Sequence, residues 1–295
     1  MRGKIGIVPK INVIDKDDLS LVYSPGVAEP CRRIAENPSD VWKYTIKSNT
    51  VAIVSDGSAV LGLGNIGPHA AIPVMEGKAM LFKKFAGIDA FPICLDTQDT
   101  DEIIETVKRI APVFGGINLE DIAAPRSFEI EERLQDIGIP VFHDDQHGTA
   151  IVVLGGLINA CKVVGKKLED VKVVVNGAGA AGVAIAKLLR CINSDPSVCI
   201  PVKELIMVDS KGIVSKSRTD LNDAKKEILA FSNPNNMDGT LRDAIKDADV
   251  FIGVSVGNLL NADDIKTMAK DSIVFGLSNP EPEIMPAEAY KGGAA

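Results

Sequence analysis

Short β-branched runs alternate with helical stretches along most of this chain, and that alternation limits the fold more than any other feature. The runs lie at 50–55, 90–95, 140–143, 171–175, 204–208, 250–254 and 272–277. They are apolar with little polar alternation, as strands covered on both faces are. Helical patterns fall between them at 101–110, 127–137, 149–164, 180–192, 221–231 and 262–269. Asp99 with Glu102 three residues on reads as an N-terminal capping pair. The order predicts an α/β chain with mostly parallel sheets, divided into domains at 1–147 and 148–295.

At 295 residues the chain is long enough for two cores. Forty acids against 32 Lys+Arg give a formal charge of −8, with no basic block. Nucleic acid and anionic membrane are therefore not expected partners. The apolar stretch 151–164 is shorter than the ~20 residues that span a bilayer and predicts a buried helix. Five cysteines without a Cys-x-x-Cys pair predict reduced, buried thiols in a cytoplasmic protein. The segment 193–201 reads as a surface loop.

Two segments match G-x-G-x-x-G. Gly177-Ala178-Gly179-Ala180-Ala181-Gly182 follows VKVVV, opens the helix AAGVAIAKLLR, and is followed by a strand ending in Asp209. Strand, glycine turn, helix, strand and acid follow in the order of a Rossmann dinucleotide site. Asp209 can accept hydrogen bonds from an adenosine ribose; the alternative is a glycine turn needed only for packing. The second match, Gly62 to Gly67, is followed at once by Pro68, and Pro73 makes the next stretch a poor crossover helix. The Gly177 site is favoured.

Two acidic pairs have unusual settings. Glu120-Asp121 lies among apolar residues, and Asp144-Asp145 follows the run PVFH. Adjacent carboxylates in such places call for a cation, and oxygen-only ligands suit Mg²⁺ or Mn²⁺. Solvated loop pairs are the alternative. His143 and His147 read as structural, Lys78 as the start of a helix, and Tyr23 as a turn-anchoring aromatic.

Together these segments resemble the short, prokaryotic-type malic enzymes. YSPGVAEPC, VSDGSAVLGLGNIGP, PVMEGKAMLFKKFAGIDAFPICLDT, GGINLEDIAAP, VFHDDQHGTA, VVNGAGAAG and FGLSNPEPEIMP carry the resemblance in order over essentially the whole chain. It implies an N-terminal substrate and metal domain followed by a Rossmann NAD(P) domain. It also implies oxidative decarboxylation of L-malate to pyruvate and CO₂ with NAD or NADP and Mg²⁺ or Mn²⁺, by a homodimer. Tyr23 matches the family's general acid and Lys78 its general base. Asp144 matches the acid that pairs with the lysine, and Glu120, Asp121 and Asp145 match its metal carboxylates. Thr149, Gly177, Ala178, Gly179, Ala180, Ala181, Gly182, Asp209 and Ser255 fall where the family lines its cofactor cleft. Asn279 matches a substrate and nicotinamide contact. A lysine serves as base only if its pKa falls from ~10.4 towards ~7–8.

Two departures stand out. Larger eukaryotic members carry an arginine before the L-G-L-G loop, where this chain has Ser58-Ala59-Val60. Against the family pattern, the C-terminal part of the second domain is expected to be missing, and malate binding is then expected to suffer more than metal or cofactor binding. A malolactic or oxaloacetate-decarboxylating relative, or an impaired dinucleotide-binding fragment, are the other readings. Asp209 favours NAD modestly, with Lys211 able to offset its repulsion of a 2′-phosphate.

Overall fold

A computed structural model describes residues 3–60, 62–192, 195, 197 and 199–295. The loop expected over 193–201 therefore falls partly on residues outside the described set, namely Asn193, Ser194, Pro196 and Val198. The chain divides into two compact units, Met1–His143 and Asp144–Ala295.

The first unit opens with the short helices α1 (Lys16–Val22), α2 (Ala28–Glu36) and α3 (Val41–Tyr44). Its strands β1 (Thr50–Ser55), β2 (Asp89–Cys94), β3 (Gly116–Leu119) and β4 (Val141–His143) form an all-parallel sheet in the order β2-β1-β3-β4. Helix α4 (Gly67–Leu81) joins β1 to β2, α5 (Thr100–Ile110) follows β2, and α6 (Arg126–Leu134) joins β3 to β4. Side-chain alternation explains the unbroken apolar runs. Ala52, Val54, Ile117 and Leu119 pack with Ile103, Ile104 and Ile130 on one face, and Ile53 packs with Met75 and Ala79 on the other.

The second unit begins with a π-helical turn, Asp144–Gly148, that runs straight into α7 (Thr149–Val164). Strands β5 (Lys172–Asn176), β6 (Glu204–Asp209), β7 (Gly212–Ile213), β8 (Val250–Gly253) and β9 (Ile273–Gly276) order as β7-β6-β5-β8-β9, with β7 antiparallel. Helix α8 (Ala180–Leu189) follows β5, and α7 and α8 cover one face through Val173, Val175, Leu205 and Met207. Helices α9 (Asp223–Ile228), α10 (Leu241–Ile245), α11 (Ala262–Ile265) and α12 (Pro286–Gly292) complete the unit. The last three lie with Val174, Ile206 and Phe251 on the opposite face.

Four expectations are corrected. The stretch after Gly67 is a 15-residue helix despite its prolines: Pro68 sits in the first turn, where no donor is needed, and burial of Ala71, Met75 and Ala79 outweighs the bond lost at Pro73. Lys78 consequently lies in the last turn of α4 and does not open a helix. Helix α7 is half buried: Ala150, Val153, Leu157 and Cys161 face the core, while Val152 and Val163 are exposed. By length and composition, Asp144–Val164 is long and apolar enough to cross a membrane, and the packing of that inner face reads as a core helix. Finally, Cys191 and Cys199 form a disulfide and Cys31 is exposed, so the thiols are neither all reduced nor all buried. Val202 N donates to Leu189 O near the bridged pair.

Candidate active site

In an open parallel sheet, ligands bind at the carboxyl ends of the strands where the strand order reverses. In the first unit that point lies between β1 and β3. Asp56 follows β1, and Glu120-Asp121 follows β3; the three are 0%, 5% and 4% exposed. Asp121 adopts a φ of 55°, and its carbonyl accepts from Ala59 N, which ties the β3 end to the loop after β1. Lys78 reaches this edge from α4 and places Nζ 3.0 Å from Glu120 Oε1. Asn118 Nδ2 donates to the other oxygen of Glu120 at 2.8 Å. Base candidate and metal-carboxylate candidate are thus brought together.

Asp144 and Asp145 are the next residues after β4, whose His143 is in register with Leu119 of β3. Both are partly buried, in the turn that packs against α8 and leads to Thr149 at the start of α7. Carboxylate oxygens of this kind fit a hard divalent cation. Tyr23 is placed differently. It caps α1, is 68% exposed, and makes no side-chain hydrogen bond among the described residues.

In the second unit the reversal lies between β5 and β8, and the glycine loop sits there. Gly177 has φ +123°, and a Cβ on it would lie 2.6 Å from Val254 O. A Cβ on Gly182 would lie 1.7 Å from Gly177 O, so helix and strand meet only without one. A Cβ on Gly179 would meet nothing within 4 Å, which leaves open space above the N-terminus of α8, where Ala180 and Ala181 stand and Ala178 precedes. That cradle fits a pyrophosphate. Asn176 Nδ2 donates to Ser255 Oγ at 2.7 Å across the β5–β8 gap. Asn279 is exposed in the loop after β9.

Asp209 ends β6 as expected, but its carboxylate is already engaged. Arg218 approaches one oxygen at 2.8 Å and the other at 3.1 Å, Lys225 Nζ lies 2.5 Å away, and Lys211 N donates at 2.9 Å. Burial works to raise its pKa, yet the Arg218, Lys225 and Lys211 hydrogen bonds hold it down at about 2. Asp220 pairs with Lys211 and Arg218 at 2.8 Å each. Sequence reasoning missed Arg218, Lys225 and Asp220, which follow on the loop and helix beyond β7.

The chain matches the family profile "Malic enzyme, N-terminal domain" over residues 2–135 and "Malic enzyme, NAD binding domain" over 146–293. A bifunctional malic/malolactic enzyme of Bacillus subtilis is 56% identical over all of this chain and 70% of that protein. An NAD-dependent malic enzyme of Geobacillus stearothermophilus is 59% identical over 98% of this chain, which spans 59% of that protein. An NADP-dependent malic enzyme of Escherichia coli is 46% identical, and the chain spans 36% of it. The crystal structure of an NAD-dependent malic enzyme from Thermotoga maritima superposes with a TM-score of 0.93 at 51% identity, covering 99% of this chain and 76% of that one.

Proposed function

The chain belongs to the malic enzyme family, and we propose that it oxidises L-malate with NAD(P)⁺ and releases pyruvate, CO₂ and NAD(P)H. The observation that carries this reading is the pairing of Lys78 with Glu120 at the carboxyl end of β3, in a chain that also builds the glycine cradle. Glu120, Asp121 and Asp145 hold the divalent cation; the register of Leu119 with His143 supports this, because the acidic pairs follow those two residues. A bound divalent cation would supply Lewis acidity there, and a bound nicotinamide would supply the hydride acceptor.

Lys78 removes the proton of the C2 hydroxyl, which requires the neutral amine. Asp144 orients Lys78. The overall reaction consumes no net proton, so the proton that Lys78 takes is returned at C3, and Tyr23 delivers it there. Thr149, Ser255 and Asn279 line the cofactor cleft. Asp209 is committed to Arg218 and Lys225, so its repulsion of a 2′-phosphate is largely offset, and both coenzymes are used with a modest preference for NAD. The enzyme acts as a homodimer in the cytoplasm. A malolactic reaction is the second reading, favoured by the Bacillus subtilis relative's name.

The test is a steady-state assay with malate, Mn²⁺ and each coenzyme. NAD(P)H formation is expected, abolished by EDTA and restored by Mn²⁺ or Mg²⁺. Asp145→Asn should weaken cation binding without unfolding the protein, and Lys78→Ala should abolish oxidation. Full activity in a verified metal-free sample refutes the mechanism, and lactate without net NADH favours the second reading.

A further inference from the structure

The first unit carries a second cation at the carboxyl ends of β1 and β3 that the reaction above leaves without a task. Arg126 is the first residue of α6, and its side chain is 30% exposed. Nη2 donates to Asp56 Oδ2 at 2.8 Å and to Ser58 Oγ at 3.0 Å. Ser58 Oγ in turn accepts from Ala123 N at 2.9 Å and donates to the other oxygen of Asp56. Asp56 is fully buried. A buried carboxylate and a hydroxyl thus fix one nitrogen of the guanidinium. Nε is buried with no hydrogen-bond partner, and Nη1 makes no hydrogen bond among the described residues. Arginine offers its donors as a rigid planar fork, and a buried N–H without a partner is costly. Nε is sealed off from any ligand, but the free Nη1, beside the positive end of α6, suits a carboxylate.

We infer that Arg126 binds a carboxylate of the substrate, and specifically the C1 carboxylate that remains in pyruvate. The inference rests on the malate reading above and deepens it. Malate carries two carboxylates. The C4 group leaves as neutral CO₂, so a firm ion pair there would stabilise the ground state more than the transition state. The C1 group keeps its charge throughout, so a cation on it holds the substrate without opposing the reaction. Asp56 and Ser58 set the position: the loop after β1 is bonded to Asp121 through Ala59 N, so Arg126 is anchored to the same strand ends as the metal carboxylates. Lys78 is less suited to this task, being paired with Glu120 and required as a base.

Arg126→Lys keeps a cation for Asp56 while removing the planar fork, and Arg126→Gln removes the charge. In the intact protein, KM for malate should rise tenfold or more in Arg126→Lys and further in Arg126→Gln. KM for coenzyme and the Mn²⁺ dissociation constant should stay within twofold. Oxalate, which presents one carboxylate beside a second oxygen, should lose affinity by a similar factor, read by calorimetry with Mn²⁺ present. Unchanged malate KM and oxalate affinity in a folded variant overturn the inference. A raised malate KM with unchanged oxalate affinity overturns the assignment to C1. Parallel loss of malate, coenzyme and metal binding with a lowered Tm makes Arg126 a structural brace and also overturns it. Wild-type protein that fails to turn over malate refutes the proposed reaction, while the oxalate comparison still reads Arg126.

Discussion

Asp209 sits between two cations, and its environment sets both a stability term and a coenzyme choice. Its folded pKa of about 2 lies below the ordinary carboxylate value, so its contribution is present above pH ~4 and is lost as pH falls from ~4 through 2. A shift of this size corresponds to about 2 kcal/mol. Asp209→Asn should therefore lose about 2 kcal/mol at pH 7 and clearly less at pH 3, measured by urea unfolding; equal losses at both would refute the electrostatic account. The same cluster bears on NADP. Lys211, Arg218 and Lys225 against Asp209 and Asp220 leave surplus positive charge beside the ribose position. Lys225→Ala should lower kcat/KM for NADP roughly fivefold more than for NAD, about 1 kcal/mol. A uniform loss would place Lys225 outside the selection. The acid at the strand end was legible in the sequence because strand and glycine turn fix where it falls. Its partners were not, because their approach depends on how the chain returns after β7.

At the level of elements, legibility followed apolar content. The β5–α8–β6 unit reads directly, since VKVVV, the glycine turn and ELIMVD each carry a local signal. β3 did not, because Gly116 and Asn118 dilute a four-residue strand whose burial comes from its place between β1 and β4. Lys78 was misplaced for a related reason, as tertiary burial overrode the local proline signal in α4. The ends of β8 and β9 are held by a residue with no sequence signature. Glu283 is fully buried, and its carboxylate accepts from Ser255 N at 2.8 Å, Leu277 N at 3.1 Å and Ser278 N at 3.2 Å. An amide in its place has one acceptor oxygen and turns a donor towards a donor. Glu283→Gln should cost about 2 kcal/mol and speed hydrogen exchange at the Leu277 and Ser278 amides. Unchanged protection at both would show that other contacts hold these loops.

Across the whole molecule, the N-terminal segment exposes apolar side chains that no described residue buries. Ile7, Val8, Ile14 and Leu21 are 83%, 82%, 80% and 74% exposed, and α1 and α2 bury no residue. A segment this rich in exposed apolar side chains suits a docking face. A second copy of the chain is the occupant consistent with the proposed homodimer, and Tyr23 stands within the same segment, ready to serve whichever active site the segment reaches. A stable interface buries about 800 Å² on each partner, within reach of a segment that also exposes Ile11, Val13 and Leu19. Ile14→Glu with Leu21→Glu would put like charges on both sides of that interface, where desolvation is costly. The double variant should sediment as a monomer at micromolar concentration where the wild type sediments as a dimer. Malate turnover should fall with dimer content if Tyr23 acts across the interface, and mixing Tyr23→Phe with Lys78→Ala chains should then restore activity. A wild type that is monomeric at those concentrations would refute the interface. A dimer that persists in the double variant would move it to another surface, such as the exposed side of α7 around Val152 and Val163.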